Sequence, residues 1–165
     1  MSAATPGPTE QPPPYEGRTL VVDTSAWVVV RKALAEAVQP PWLGDFFQAR
    51  ASGQLRGHTV VKLELLHNAR NPAAFLATEE QLDTITTLPI TATASQGAVG
   101  ALRDLAAGPG GDTYHRVGHG DALIAATAAE RGFAVLHYDQ DFERLGRVLG
   151  FDHVWIAPAG QFRLG

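Results

Sequence analysis

Four carboxylates stand where a folded chain can turn them to chemistry. Asp23 directly follows the apolar run Thr19-Leu20-Val21-Val22, Asp121 opens the apolar stretch that ends at Arg131, and Asp139 follows Phe133 to His137. Glu64 lies between Thr59 and Ala69, flanked by Val60 and Val61, with His67 and Asn68 on its side of a helical wheel. Each has an ordinary reading. An aspartate before a helix caps it, and a mid-helix glutamate can face water. Together they suit something else, because carboxylates gathered in one pocket repel one another and raise each other's pKa. Hard divalent cations such as Mg2+ or Mn2+ hold such a group together through oxygen ligation. A cation held in this way lowers the pKa of a bound water, orients it for in-line attack and offsets charge on a scissile phosphate. That is the layout of metal-assisted phosphodiester hydrolysis. Asp141, two residues after Asp139, either assists or caps the helix that follows.

These side chains need elements that bring them together. The β-branched run Thr19 to Val22 predicts a buried parallel strand ending in Asp23. Thr24 or Ser25 then caps a helix with Trp27, Val30, Leu34 and Val38 as its apolar stripe. A second helix is expected over Trp42 to Ala51, with Trp42, Phe46 and Phe47 inward and Gly53 as its stop. There follow a short strand within Gln54 to His58, a helix capped by Thr59, a helix over Ala73 to Thr84, and an edge strand at Leu88-Pro89-Ile90. A helix capped by Thr93 runs to about Ala107, with Val99, Leu102 and Leu105 inward and Gly97 and Gly100 allowing close approach of a neighbour.

The segment Gly108 to Gly120, GPGGDTYHRVGHG, has no periodicity, which in a compact domain signals function or disorder. Asp121 caps a helix that is apolar nearly all round and so is buried on most sides. A strand over Phe133 to His137, a helix over Asp139 to Leu149 and a strand over His153 to Ile156 complete the chain. Strands alternating with helices predict an α/β fold with a parallel sheet covered on both faces. The C-terminal ends of parallel strands open on one edge, where ligands bind, so Asp23 and Asp139 share that edge.

Composition narrows the chemistry further. The chain has 165 residues, 45% hydrophobic and 18% charged, which suits one domain with a real core. With no cysteine, disulfide scaffolds, thiolate metal sites and cysteine nucleophiles are excluded. Residues 1–17 hold five of the eleven prolines and are expected to form a disordered tail before a single domain over 18–165. This tail lacks basic residues and an apolar core, so it is not expected to act as a secretory signal. The apolar runs are too short to cross a bilayer.

Thirteen Lys+Arg face seventeen Asp+Glu, a net charge of −4, so bulk electrostatics do not favour nucleic acid. Set aside Asp23, Glu64, Asp121 and Asp139, and the remaining thirteen acids equal the basic residues in number. Any contact with nucleic acid then relies on cations in the pocket and on local groups. Lys62, Arg70, Arg103, His115 and Arg116 are candidates for phosphate contacts and Tyr114 for base stacking, each of them equally an ordinary surface residue. His115 and His119 lie in a glycine-rich loop without the pattern of a zinc site, and His137 and His153 suit packing within strands.

The ordered set Leu20-Val-Val-Asp23-Thr-Ser25, Val61-Lys-Leu-Glu64-Leu-Leu, Gly120-Asp121-Ala-Leu-Ile-Ala-Ala-Thr-Ala and Val135-Leu-His-Tyr-Asp139-Gln-Asp141-Phe-Glu-Arg-Leu resembles the PIN-domain ribonucleases. Within them it is most similar to the VapC toxins of VapBC toxin–antitoxin pairs, over about residues 19–157. The resemblance implies a three-layer α/β/α sandwich around a parallel sheet. It implies a Mg2+- or Mn2+-dependent endoribonuclease of the cytoplasm that cuts structured RNA, tRNA or rRNA. By position Asp23, Glu64, Asp121 and Asp139 match the family's acidic quartet. Asp23 and Asp121 are then the main metal contacts, with Glu64 and Asp139 acting through the metal or its waters. Thr24 or Ser25 would hold a carboxylate or a bound water. The resemblance also implies a homodimer and a VapB-like antitoxin that wraps the groove and blocks the pocket. The Pro-rich tail and the long loop before Asp121 depart from the family pattern.

Two other readings compete. A phosphatase of the haloacid-dehalogenase type needs a second aspartate two residues after the strand-end nucleophile, and Ser25 stands there. A catalytically inactive module that binds RNA or protein would be expected to have lost some of the acids, and all four are present.

Overall fold

A parallel sheet orders the chain. The computed structural model describes residues 13–164. Its strands are β1 (Leu20–Val22), β2 (Leu55–His58), β3 (Thr87–Leu88), β4 (Ala134–His137) and β5 (Asp152–Trp155), all parallel, in the order β3-β2-β1-β4-β5. The helices are α1 (Thr24–Ala35), α2 (Pro41–Ala51), α3 (Thr59–His67), α4 (Pro72–Leu82), α5 (Ala92–Ala107), α6 (His119–Arg131) and α7 (Asp141–Gly146). This is the three-layer α/β/α arrangement, with β3 at the edge where Pro89 follows it. Leu20, Val21 and Val22 are fully buried, as are Val135 and Leu136 beside them, so the core sits on the central pair β1 and β4. The sheet grows from β1 in both directions, and the reversal of strand order leaves a crevice beyond the C-terminal ends of β1 and β4. Asp23 stands in that crevice, its N–H donating to the Leu136 carbonyl at 2.9 Å.

Local chemistry explains where the elements differ from expectation. Asp23 itself caps α1, accepting from the Ser25 N–H, so neither Thr24 nor Ser25 is the cap. His58 caps α3 through its ring nitrogen in place of Thr59, and Thr91 caps α5 in place of Thr93. On α1 the inward face is Ala26, Val29, Val30 and Ala33 with Trp27, whose small and β-branched side chains sit against the sheet. Leu34 and Val38, expected inward, are 49% and 41% exposed, Val38 because the helix has already ended. Phe47 is outside for a similar reason: Leu43, Phe46 and Ala49 set the buried face of α2, and Phe47 leans on the Phe46 ring.

Val99 is 58% exposed because α5 meets its neighbours through Ala94, Ala98 and Ala101. Gly97 does allow a close approach, since a Cβ there would lie 3.3 Å from the Ala126 methyl on α6. The aperiodic segment holds a short 3-10 turn, Gly111–Arg116, entered through Gly110 at φ +75°. Helix α6 then begins two residues before Asp121, so Asp121 is in its first turn, not its cap. Helix α7 is shorter than Asp139 to Leu149 because the Asp139 carboxylate accepts from the Asp141 N–H and turns the chain before the helix starts.

Of the tail expected over 1–17, residues 1–12 lie outside the described residues. The segment Pro14–Gly17 is a 3-10 turn packed on α2, with Pro14 buried and its carbonyl accepting from Gln54 Nε2 at 2.8 Å. Among the described residues no helix is long and apolar enough to cross a membrane.

Candidate metal centre

The chemistry begins where β1 stops. Asp23 is 3% exposed, and Ser25 holds one of its oxygens twice: the Ser25 N–H donates to Oδ2 at 2.9 Å and the Ser25 hydroxyl donates to the same atom at 2.5 Å. The Ser25 Oγ in turn accepts from the Tyr138 N–H at 2.8 Å, fastening the end of β4 to the start of α1. The other oxygen, Asp23 Oδ1, is buried with no hydrogen-bond partner among the described residues. An ionised oxygen left so is costly unless a ligand takes it. Burial pushes the Asp23 carboxyl up to about 6 against the pull of the Ser25 hydrogen bonds, and the Glu64 charge adds to the rise.

Around this oxygen the chain folds further acids. Asp121, Asp139 and Asp141 each offer an oxygen, all within 4.8 Å of one another. Burial, then the charges of Asp23, Asp139, Asp141 and Glu64, push Asp121 up to about 8. That all four charges act on Asp121 means that α1, α3, α6 and the β4–α7 turn present their acids to one space. Asp141 is raised by burial and by Asp139, and restrained by Arg144, whose Nη1 lies 3.2 Å from its Oδ1. Glu64 faces water at the rim, where the Thr24 hydroxyl donates to it. The backbone makes room for these groups. A Cβ at Gly118 would lie 2.6 Å from Asp121 Oδ2, and one at Gly120 would lie 3.1 Å from Glu64 Oε1.

Behind the acids stand buried histidines. His137 Nδ1 accepts from the Asp139 N–H at 3.1 Å, which leaves its Nε2 to bond His153 at 3.1 Å. Burial pushes His137 down to about 3, so the ring is neutral and holds the Asp139 backbone in place. At the end of β2, His58 Nδ1 accepts from the Val60 N–H and Nε2 bonds the Thr127 hydroxyl at 2.9 Å, which ties the start of α3 to α6.

The donor set is all oxygen and carries several negative charges, with one buried acceptor unpartnered, and a Mg2+ or Mn2+ ion fits these properties. The acids fall into two ranks, however. Asp141, expected to assist or cap, belongs to the tight group and does not cap α7, while Asp23 and Glu64 lie outside that group and face it. The expected RNA contacts fare less evenly. Lys62 is turned to Asp83, 2.6 Å away, on the opposite side of α3 from Glu64. Arg70 and Arg103 are exposed on α3's exit and on α5, and Tyr114, His115 and Arg116 are exposed on the 3-10 turn. Sequence reasoning passed over Arg144 and Gly118. The i,i+3 spacing of Asp141 and Arg144 was a visible signal for the first, whereas Gly118 gave none.

Comparison with known proteins agrees with this architecture. Residues 20–148 match the PIN domain model, and the chain belongs to the PIN-domain family. It is 33% identical over 140 residues to Ribonuclease VapC18 of Mycobacterium tuberculosis (strain ATCC 25618 / H37Rv), covering 84% of this chain and 96% of that relative. Its relatives thus place it among the VapC proteins of that family. Among solved structures, a VapBC-5 toxin–antitoxin member from Mycobacterium tuberculosis aligns with TM-score 0.56 and 27% identity, over 82% of this chain and 96% of that one. The DNA-bound VapBC structure from Salmonella typhimurium shares the fold at TM-score 0.65 and 19% identity, over 85% of this chain and 99% of that one.

Proposed function

We propose that this chain is a Mg2+- or Mn2+-dependent endoribonuclease, the toxin of a type II toxin–antitoxin pair, that hydrolyses phosphodiester bonds in structured RNA such as tRNA or rRNA. The observation that carries this reading is the convergence of Asp121, Asp139 and Asp141 on one point, with the Asp23 charge acting on Asp121 and Asp23 Oδ1 buried without a hydrogen-bond partner among the described residues. The relative named a ribonuclease, similar over nearly its whole length, supports the choice of RNA.

Asp121, Asp139 and Asp141 would hold the cation, with Asp23 and Glu64 completing the acidic pocket. A bound divalent cation supplies Lewis acidity, which activates water and offsets charge on the scissile phosphate. The remaining work belongs to the chain. Ser25 fixes the Asp23 carboxylate by one oxygen and leaves the other without a hydrogen bond among the described residues, open to a ligand. His137 pins the backbone of Asp139, and the Asp139 side chain in turn pins Asp141. Glu64 and Thr24 line the open side, where solvent and substrate enter. Asp121 keeps a proton near neutral pH and must release it for the carboxylate to serve as a ligand, so loading should strengthen as pH rises.

A VapB-like antitoxin is the proposed partner, as in the VapBC complexes that share this fold. An acidic pocket invites a basic segment of the partner to enter and silence it. The proposal further includes a homodimer working in the cytoplasm.

The test is incubation of the purified protein with total RNA in Mg2+, in Mn2+ and in EDTA, beside the Asp23→Asn variant. Discrete cuts with either cation, and none in EDTA or with a folded Asp23→Asn protein, are expected. Cutting that survives EDTA, or full activity of the variant, overturns the proposal.

A further inference from the structure

Next to the acid group lies a cavity of about 400 Å3 that nothing above uses, within the range of about 300–1,000 Å3 typical of small-molecule sites. It is enclosed by the C-terminal end of α5, the loop from Gly108 to Val117, and α7 with its exit. Leu105 and Val117 give it apolar walls. Tyr114, Arg144, Arg147 and Asp104 supply its polar and aromatic groups. One side chain joins it to the acids, since Arg144 lines the cavity and also reaches Asp141 at 3.2 Å. A group bound here therefore sits one side chain away from the acid cluster.

The geometry points to a base-binding subsite in which this cavity holds a guanine of the RNA strand beside the phosphate that is cut. The inference rests on the proposed nuclease activity for the identity of the strand, and on the cavity for the base. Guanine presents two acceptors, O6 and N7, on one edge, the pattern an arginine fork recognises. Its N1–H and N2 amino group, on another edge, are donors that suit a carboxylate. The cavity supplies the arginines from α7 and its exit and the carboxylate, Asp104, from α5, so the two chemistries come from different walls. Adenine and cytosine would turn an amino group toward an arginine where guanine has an acceptor, and uracil is a smaller ring. Tyr114 is 43% exposed and stands edge-on to His115 with ring centroids 5.8 Å apart, leaving a face on which a base can stack. Arg144 keeps donors to spare, because a guanidinium has five N–H groups and Asp141 engages it through Nη1.

The contact requires no cation, so it is measured in EDTA with the full-length protein. Fluorescence anisotropy would follow binding of labelled oligouridylates that carry a single central G, A, C or U. The G oligonucleotide should bind on the order of tenfold more tightly than the others, the discrimination a good bidentate pair gives. That preference should collapse toward unity in Arg147→Ala and in Asp104→Asn. Both residues are exposed, and circular dichroism would verify the fold of each variant. With Mg2+ added, cuts should fall beside G. Equal binding of the four oligonucleotides, or a G preference that neither substitution moves, overturns the subsite. A variant-sensitive G preference without cutting under any cation would support the subsite while rejecting the nuclease reading, so the two fail separately.

Discussion

Asp121 holds a proton near neutral pH that the same residue in an unfolded chain has lost, and replacing it with asparagine probes the convergence of acids without cutting into the core. Its carboxyl is pushed from 3.8 up to about 8 by burial and by Asp23, Asp139, Asp141 and Glu64. An acid whose folded value is raised binds more protons in the folded state, so stability falls as pH climbs from the unfolded value to the folded one. The buried histidines work in the opposite direction. His58 and His137 are depressed to about 4 and about 3, so their contribution is lost as pH falls below the ordinary histidine value of about 6.5. Above neutrality they are silent, and Asp23, raised to about 6, has already released its proton, so Asp121 dominates the slope there.

From pH 7 to pH 8 in EDTA the protein should lose stability by at most about 1 kcal/mol, and the slope should flatten above that. The full shift corresponds to about 6 kcal/mol at ~1.4 kcal/mol per unit. The pocket is partly open to water, so screening reduces this to about 2–3 kcal/mol for Asp121→Asn at pH 8. For a domain of this size that is a rise in melting temperature of about 5–10 °C. Calorimetry of both proteins in EDTA at pH 7, 8 and 8.5 makes the comparison. The asparagine variant should melt higher, show no slope over this range, gain nothing from Mg2+ or Mn2+, and cut no RNA. A variant that melts at or below the parent at pH 8 in EDTA would refute the clustering of charge around Asp121.

Other substitutions test separate parts of the account. Ser25→Ala removes the hydroxyl from Asp23 and strands the Tyr138 N–H, so a loss of about 2–4 kcal/mol in urea unfolding and a fall in cutting rate are expected; an unchanged midpoint would contradict the role of this clamp. Gly118→Ala drives a methyl to within 2.6 Å of Asp121 Oδ2, and Mn2+ affinity by calorimetric titration should drop at least tenfold, whereas unaltered affinity would show that the carboxylate does not need that space. Lys62→Ala breaks an ion pair at the surface, so melting should shift by less than about 1 kcal/mol equivalent and RNA cutting should hold near the parent rate; a large loss of cutting would return Lys62 to the substrate path.

Much of the fold was legible because it is written in local patterns. The β-branched run before Asp23 and the apolar segment before Asp139 specify β1 and β4, and parallel pairing of those strands brings the two acids to one edge. Helix faces were harder to read. On α5 the alanines, not Val99, meet the neighbouring elements, since close helix packing selects for small residues that hydrophobicity alone does not mark. Caps were misplaced by one or two residues where several polar candidates stand in a row, as at Asp23-Thr24-Ser25.

Within the site, residue types pointed to Asp23, Glu64, Asp121 and Asp139, and the family resemblance ranked Asp23 with Asp121 as the main metal contacts, whereas the tight group consists of Asp121, Asp139 and Asp141. Asp141 enters the tight group because the Asp139 side chain turns the chain at the start of α7, a contact that spacing alone does not encode. Glu64 reaches the rim through the angle at which α3 leaves β2, an angle set by the His58 ring and its bond to Thr127. The pairing of Lys62 with Asp83 at the end of α4 is likewise invisible in the sequence, because the two stand 21 residues apart.

The central claim is met most directly by crystals of the full chain grown with Mn2+ at pH 8 and measured at the manganese edge. An anomalous peak within coordination distance of Asp121, Asp139 and Asp141, on the side to which Asp23 Oδ1 points, is the result expected. Crystals in which manganese leaves that position empty while these carboxylates stay ionised and apart would contradict it.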